Sequence, residues 1–407
     1  MLDWLRYIQL YFLLFAGYAL HVTYLTLFYQ RRGFDYWQIS VLEAIGAACV
    51  TLSAFVWGPV SDRLRRKRRL LGLLSLGMGL FFPLLWLAPN RFWLMAPLAA
   101  GLYLCRAPLV PLLDSAFFEA LAAKGDRSAL NYSRVRLFGS LGFIVAGSLL
   151  PLMLSTDPSV SALARLQPVF VAFTLCALAT ALVAFRTPDP PRPESERIPA
   201  RDYRRAVLAV PQYKRLLVVL LVSWLSNQAY YMFLSLYLDQ IGVSDRMKGL
   251  YWSMGVLAEV CLLAAGPWLL RRFGVRKLLL AGLVGRCVRL FGFSVRQAPL
   301  VVLLVFQPMH ALAFAATHLA TMAFLERTVP PHLRATGQML NAGLVTGAGG
   351  FLGSLLAGRV SQGTLAPHGA LFGLRGINAA YLVCAFLQFG VLAVAARTLR
   401  EPPNAVE

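Results

Sequence analysis

The stretch Gly58-Pro-Val-Ser-Asp-Arg-Leu-Arg-Arg-Lys67 lies where one apolar segment ends and the next begins. A second cationic stretch, Gly266-Pro-Trp-Leu-Leu-Arg-Arg-Phe-Gly-Val-Arg-Lys277, takes the same kind of position about 208 residues later. A repeat of this length indicates that the chain has two structurally similar halves. A short cationic bend between apolar helices, present once in each half, is typical of a two-bundle membrane transporter.

The composition places the chain in a bilayer. Hydrophobic residues make up 58% of the sequence and charged residues 14%, and the mean hydropathy is +0.63. This is more apolar surface than the interior of a soluble domain can accommodate. The sequence therefore predicts an integral membrane protein.

The net charge of +21 does not indicate nucleic-acid binding. The lysines and arginines lie in short connections between apolar segments, and no soluble basic face or folded basic module is present in the sequence. We therefore expect no nucleic-acid partner.

Six cysteines all lie inside apolar segments and lack the paired spacing of metal ligands. We interpret them as small hydrophobic residues, and we expect neither disulfides nor a metal site nor another cofactor. They are Cys49, Cys105, Cys176, Cys261, Cys287 and Cys384.

The first apolar stretch, 4–29, is too long for the core of a signal peptide and has no small-residue cleavage site. It is predicted to be a retained helix. The chain contains twelve apolar segments of roughly 20 residues or more, the length that crosses a bilayer as a helix. They are 4–29, 37–60, 70–89, 92–122, 132–154, 167–186, 213–240, 248–270, 277–295, 299–326, 333–358 and 371–396.

The predicted fold is an all-α integral membrane protein with twelve transmembrane helices in two six-helix bundles. The N-terminal bundle takes residues 1–186 and the C-terminal bundle 213–398. The polar, proline-containing stretch 187–212 is predicted to link them, and 399–407 is a tail. Most of the 39 lysines and arginines lie at the termini or in the connections of one side. The positive-inside rule therefore places the linker and both termini in the cytoplasm, with the protein in the inner membrane.

The first cationic stretch resembles the signature between the second and third helices of the major facilitator superfamily, with Arg65 where glycine is usual. The second copy is a degenerate echo with Leu270 near the position of the acid. The resemblance implies a cytoplasmic gate, in which the glycine permits close helix approach and the acid pairs with cations or a helix N-terminus. The gate residues it implies are Gly58, Asp62, Arg63, Arg66 and Lys67.

Further matches extend the resemblance over nearly the whole chain. Ala107-Pro108-Leu-Val and Tyr132-Ser-Arg-Val-Arg-Leu-Phe-Gly-Ser-Leu-Gly142 are similar to the fourth and fifth helices of lactose permease and of 3-phenylpropionate permeases. In the second half, Ser253-Met-Gly-Val-Leu-Ala-Glu-Val260, Arg289 and Met309-His310 resemble the phenylpropionate-type group, which also includes nucleoside/proton symporters. The resemblance implies a secondary transporter.

Three ionisable residues of the second half are predicted to lie at the same depth in the bilayer. Glu259, Arg289 and His310 each lie about 11 or 12 residues into successive predicted helices, and a helix rises ~1.5 Å per residue. Acids and bases inside a membrane tend to face a cavity and pair with one another. We therefore predict a proton-coupling site at Glu259 and His310, with Arg286 adding a cation one turn from Arg289. Hydrogen bonding between helices is the alternative interpretation of each residue.

The first half contains a second group of charges. Asp114 lies two turns from Arg106, and the following helix brings in Arg136, which is expected to approach Asp114. The resemblance to lactose permease implies a substrate contact at Arg136 and, displaced by about a turn, at Asp114. Phe143 stands where lactose permease has its sugar-stacking tryptophan, so galactoside transport is disfavoured. Glu259 is the first candidate proton carrier and Asp114 the second.

The excess of fixed positive charge near the bilayer centre favours a carboxylate-bearing substrate. Aromatic side chains on the first and seventh helices are predicted to stack on a ring, although packing is the commoner role of such residues. The predicted substrate-binding residues are Arg136, Arg289, Arg106, Arg286, Tyr231, Asn227 and Phe143.

The sequence thus predicts a proton-coupled symporter that works by alternating access as a monomer. Its expected partners are a small-molecule substrate, protons and the lipid bilayer. An aromatic or other organic acid is the leading substrate class, and a nucleoside or an oligosaccharide is the alternative. A transporter-derived receptor without coupled transport also remains open. An enzyme is not expected, because no metal-ligand cluster, catalytic triad or phosphate-binding loop is found in the sequence.

Overall fold

The computed structural model describes residues 2–64, 67–123, 129–187, 208–295, 304–330, 333–363 and 373–402, which are almost entirely helical. The helices of the first half are α1 (Leu2–Arg31), α2 (Tyr36–Leu64), α3 (Lys67–Leu87), α4 (Phe92–Arg106), α5 (Leu109–Ala123), α6 (Ala129–Leu149) and α7 (Gln167–Arg186). Those of the second half are α8 (Pro211–Gln240), α9 (Asp245–Ala264), α10 (Gly266–Ser294), α11 (Thr317–Thr328), α12 (Arg334–Leu340), α13 (Gly349–Ser361) and α14 (Gly376–Thr398). Two π-helical stretches, Ala311–Ala316 and Asn341–Ala348, precede α11 and α13.

The predicted all-α membrane fold is confirmed. Ten helical segments of the described chain are long and apolar enough to cross a membrane. The other two predicted spans, 37–60 and 277–295, lie in α2 and α10, which are 29 residues long each. Continuous helices satisfy every backbone hydrogen bond within one segment, which a lipid environment requires.

Prolines break two of the predicted spans. Helix 92–122 is interrupted between α4 and α5 at Pro108, and the eighth span ends at Ala264 rather than at 270 because Pro267 starts the next helix. Proline lacks a backbone N–H, so it is tolerated in the first turn of a helix and interrupts the hydrogen-bond ladder elsewhere. Length and hydropathy predict the span, whereas proline position decides where it bends.

The described chain separates into two compact units. Unit 1 comprises Met1–Asp35, Leu52–Ser195 and Leu238–Ser253, and unit 2 comprises Tyr36–Thr51, Glu196–Tyr237 and Met254–Glu407. The division into bundles 1–186 and 213–398 stays a prediction.

In unit 1, α1 packs mainly on α6 and α7, and α3 packs on α7. Gly142 on α6 lies so close to the carbonyl oxygen of Phe12 on α1 that no side chain fits between them. Phe82 and Phe173 stack with their ring centroids 3.8 Å apart. Lipid tails are as apolar as these side chains, so close packing through small residues, rather than removal from water, holds such helices together.

In unit 2, α10 packs on α14, on α11 and on the π-helical stretch before α11. The core of this unit includes Leu279, Leu283, Phe324 and Ala395, all nearly inaccessible. Gly282 lies against the backbone of Leu312, where an added side chain would collide. This packing positions α10, which carries the two predicted arginines of the second half.

The bend inside the second cationic stretch is closed by the C-terminal segment. Gly274 has a positive φ of 78°, which glycine adopts without strain. The carboxylate of Glu401 accepts hydrogen bonds from the backbone N–H groups of Val275 (2.7 Å) and Arg276 (2.8 Å), which open the helical stretch after the bend. Because Leu270 replaces the acid in this copy of the motif, Glu401 supplies a negative charge at a helix N-terminus from elsewhere in the chain.

Replacing Glu401 by alanine is expected to lower the free energy of unfolding by about 1 kcal/mol, the usual effect of losing a helix cap. Glu401→Gln keeps an acceptor oxygen and is expected to lose less. Denaturant unfolding in detergent micelles measures both. An unchanged stability in the alanine variant would show that this contact contributes nothing.

Candidate functional site

The charged residues predicted to share one depth in the second half lie together in unit 2. Glu259 is on α9, Arg289 is on α10, and His310 directly precedes the π-helical stretch Ala311–Ala316. Nε2 of His310 lies 3.7 Å from Oε2 of Glu259, and Nδ1 of His310 lies 2.8 Å from Nη1 of Arg289. The three side chains form one continuous line, and their roles in transport stay predictions.

Arg289 is held by two residues of α8 as well. Its Nη2 donates to Oδ1 of Asn227 at 2.6 Å, and its Cζ lies 3.6 Å from the centroid of the Tyr230 ring. Arg289 is 0% exposed. Hydrogen bonds and an aromatic face offset part of the cost of removing a guanidinium from water. Asn227, predicted to contact substrate, contacts Arg289 in this structure.

Arg289 also fixes the tautomer of His310. A guanidinium can only donate, so Nδ1 of His310 accepts from it and the ring proton lies on Nε2, facing Glu259. A second proton cannot join Nδ1 while the contact with Arg289 persists. The carboxylate of Glu259, whose side chain is 17% exposed, lies on the Nε2 side of the ring and ends the line.

Arg286 lies one turn before Arg289 and is held without an acid. Its Nη1 donates to Oγ of Ser223 and its Nη2 to the carbonyl of Ala313, each at 2.6 Å. Oε1 of Gln388 accepts from Ser223 at 2.9 Å. Arg286 is 2% exposed, and within the described residues it has no carboxylate partner. Within the described residues of unit 2, the buried guanidiniums of Arg286 and Arg289 thus accompany the carboxylate of Glu259.

Aromatic side chains surround this line. Tyr231 stacks on Trp224 with centroids 5.7 Å apart and meets the ring of His310 edge-on at 6.1 Å. Tyr230 donates its hydroxyl to Oε1 of Gln307 at 3.1 Å. Sequence reasoning missed Gln307, whose signal was a polar residue directly before a proline in an apolar segment.

The first-half charges lie together in unit 1. Tyr11 on α1 donates its hydroxyl to Oδ1 of Asp114 on α5 at 2.5 Å. Tyr132 and Arg136 on α6 also interact with this carboxylate. The guanidinium of Arg136 lies 4.1 Å from the centroid of Phe15. Arg136 is thus near enough to Asp114 to feel its charge, and the predicted meeting of these two side chains stays a prediction. The hydroxyl contact of Tyr11 with Asp114 was not predicted.

Arg106 and Phe143 lie in the same unit. Cζ of Arg106 is 3.9 Å from the centroid of the Tyr18 ring and 5.7 Å from that of Tyr103. Phe143 is 7% exposed on α6. Its predicted contact with substrate stays a prediction.

The predicted gate motif is described in part. Gly58, Asp62 and Arg63 lie in α2, but their side chains are outside the described part, and Arg66 lies outside the described residues. Lys67 begins α3, and its Nζ pairs with Oε1 of Glu119 at 2.7 Å.

The next residue, Arg68, was not predicted to matter. It is buried, its guanidinium lies 5.2 Å from the centroid of Tyr7, and its Nε donates to the hydroxyl of Tyr7 at 2.8 Å. Lys67, the last residue of the motif, is thus bound to α5, and Arg68, which follows it, is bound to α1.

Comparison with known proteins gives consistent matches. A family model described as "MFS_1 like family" matches residues 4–367. A protein of Escherichia coli named as a probable 3-phenylpropionic acid transporter is 29% identical over 321 residues, covering 77% of this chain and 80% of its own. Another E. coli protein, named "Putative nucleoside transporter YegT", is 24% identical over 363 residues, covering 86% of this chain and 82% of its own.

The fold is matched by solved structures. The crystal structure of the nucleoside transporter NupG, in a single-substitution variant, superposes with a TM-score of 0.83 at 17% identity and covers 98% of this chain and 100% of its own. The TM-score shows that the fold is shared, and at this level of identity the match shows the fold alone.

Proposed function

Because the chain belongs to the MFS_1-like family and is thus a multi-pass membrane transporter, we propose that it is a proton-coupled symporter of a small organic acid, with an aromatic acid as the best match. The observation that carries this proposal is the line of contacts from Glu259 through His310 to Arg289. Alternating access by two bundles, action as a monomer, and an inner-membrane location with both termini in the cytoplasm complete the proposal.

The excess positive charge of unit 2 supports an anionic substrate. Arg286 and Arg289 are both buried, whereas Glu259 is the acid that pairs with this group within the described residues. Uncompensated charge inside a membrane is costly and marks the path of an ion or a substrate. A carboxylate neutralises this excess, and a neutral solute does not.

Proton binding and anion binding favour one another in this arrangement. While Glu259 is ionised, its charge offsets part of the charge of Arg286 and Arg289. Once Glu259 is protonated, the guanidiniums attract an anion more strongly. By linkage, a bound anion favours proton uptake by Glu259 to the same extent. Movement of acid and proton in the same direction follows from this mutual preference.

Two relatives bear on the substrate class. The relative named as a probable 3-phenylpropionic acid transporter supports an aromatic acid, and the half-buried rings of Tyr231 and Trp224 offer stacking surfaces. The relative named as a nucleoside transporter keeps nucleosides as the second candidate. The charge excess at Arg286 and Arg289 favours the acid.

Proteoliposomes containing the purified protein are expected to accumulate 3-phenylpropionate when a pH gradient is imposed, and to lose the accumulation when a protonophore is added. The corresponding amide is not expected to accumulate, since it lacks the negative charge. Accumulation of nucleosides but not of acids would overturn the substrate class. Binding of the acid without accumulation would indicate a receptor.

A further inference from the structure

The fourth apolar segment of the first half is broken at Arg106, and the break has a structural cause. α4 ends at Arg106, and the helix resumes after Pro108. Pro108 has no backbone N–H, so the carbonyl of Leu104 loses its helical donor. The indole Nε1 of Trp57 donates to this carbonyl at 3.1 Å. A side chain from α2 therefore stabilises the break.

The corresponding segment of the second half has the same feature. It bends at Gln307-Pro308, where the backbone N–H of His310 bonds to the carbonyl of Gln307 at 2.9 Å. Pro308 follows Pro108 by 200 residues, close to the spacing of the repeated cationic stretch. Interrupted helices inside membranes occur where the backbone lines a cavity or a binding site. Arg106 and His310 each lie two residues from one of these prolines.

The contacts of the four predicted arginines differ. Arg286 and Arg289 donate to fixed protein acceptors, whereas Arg136 packs on the ring of Phe15 and lies close enough to Asp114 to feel its charge. Arg106 is half-buried, and its Nε has no hydrogen-bond partner. Within the described residues it makes ring contacts but no hydrogen bond or ion pair. The donors of Arg106 therefore remain available to a ligand, and, unlike Arg136, it has no described acid recorded near it.

The neighbourhood of Arg106 does not neutralise it. His21 lies near enough to feel its charge, is 4% exposed, and has no hydrogen-bond partner at either ring nitrogen. The rings of Phe82, Tyr103 and Phe173 surround His21. A guanidinium among aromatic rings and a histidine, without an acid, is complementary to an anion from outside the chain.

We infer that Arg106 is the residue of unit 1 that binds the carboxylate of the substrate, with Tyr18 holding the guanidinium plane. This inference rests on the proposed transport of an organic acid. A planar guanidinium offers two parallel donors to a carboxylate, which a lysine does not. Tyr18 covers one face of the guanidinium and leaves its edge for the ligand.

The test compares binding of 3-phenylpropionate and its amide to wild type, Arg106→Gln and Arg106→Lys by the ligand-dependent rise in unfolding temperature. Loss of a bidentate charged contact is expected to weaken binding of the acid about tenfold to a hundredfold in Arg106→Gln. Arg106→Lys keeps the charge and is expected to fall between wild type and Arg106→Gln. Binding of the amide is expected to change little in either variant.

Arg91→Gln is the matched control, because Arg91 is exposed and directly precedes α4; it is expected to bind like wild type. The inference is overturned if the Arg106 variants lose binding of the acid and of the amide equally, or if both variants bind the acid as well as wild type does. In either case, uptake of the acid by the wild-type protein still upholds the proposed function. Absence of acid binding in wild type overturns both. If Arg106→Gln fails to fold, Arg106→Lys decides.

Discussion

Replacing Glu259 by glutamine is expected to abolish proton-driven accumulation while leaving substrate exchange measurable. Glutamine has the shape of the protonated acid and cannot release a proton, so binding of the anion persists while coupling to the gradient is lost. With one proton per carboxylate, a pH difference of one unit supports about tenfold accumulation by wild type. In Glu259→Gln the ratio is expected to fall to about one, because no free energy enters from the gradient.

Two uptake assays on the same proteoliposomes separate these effects. Uptake under an imposed pH gradient measures coupling, and counterflow between labelled and unlabelled acid measures exchange. Glu326→Gln is the matched control, because Glu326 lies on α11 with its side chain 65% exposed, apart from the line of Glu259. Undiminished uphill uptake by Glu259→Gln would show that another acid carries the proton, and Asp114 is the next candidate.

The proximity of the second-half charges could be expected from the sequence, but their contacts could not. Constant helical rise places Glu259, Arg289 and His310 at one level once the spans are known. The direction of each side chain depends on helix rotation and packing, which hydropathy does not specify. The bond from Arg289 to Nδ1 of His310, which decides the tautomer, is of this kind. The same holds for Asn227. Its polarity made it a candidate substrate contact, but only the structure shows that it contacts Arg289.

Contacts between distant positions in the chain escaped prediction for a different reason. Glu401 follows the last predicted span and meets the backbone at Val275, and nothing local in the sequence relates the two. The carbonyl of Leu104 likewise accepts from Trp57 because Pro108 has no backbone N–H to donate to it. In both cases the sequence shows that a group is missing, an acid in one and a backbone N–H in the other. It does not show which residue supplies the replacement.

An ionic cluster at the end of α1 was also not predicted. Arg31 binds both carboxylate oxygens of Asp245, at 2.7 and 2.9 Å, and Oδ1 of Asp239 at 3.2 Å. Nζ of Lys248 lies 2.7 Å from Asp239 and 2.8 Å from Asp245. Only 1% of the Lys248 side chain is exposed. Two cations and two acids thus balance within unit 1.

Asp245→Asn is expected to lower the free energy of unfolding by about 3–5 kcal/mol, the usual cost of removing one partner from a buried ion pair. The substitution leaves Arg31 and the buried Lys248 with the single carboxylate of Asp239. Denaturant unfolding in detergent micelles measures the loss. Asp157→Asn is the control, since Asp157 lies in an exposed loop, and a change within about 0.5 kcal/mol is expected there.

Combining Asp245→Asn with a second substitution, Lys248→Met, tests whether the stability depends on the overall charge balance of the cluster rather than on single contacts. Lys248→Met alone leaves two acids facing Arg31 and is also expected to destabilise the protein. The double variant Asp245→Asn, Lys248→Met restores one cation to one acid, Arg31 to Asp239. It is therefore expected to be more stable than the sum of the two single losses predicts, with a coupling of about 1–3 kcal/mol. Additive losses would show that the four residues act as separate contacts, because a shared charge balance requires that removing the second charge costs less than removing the first.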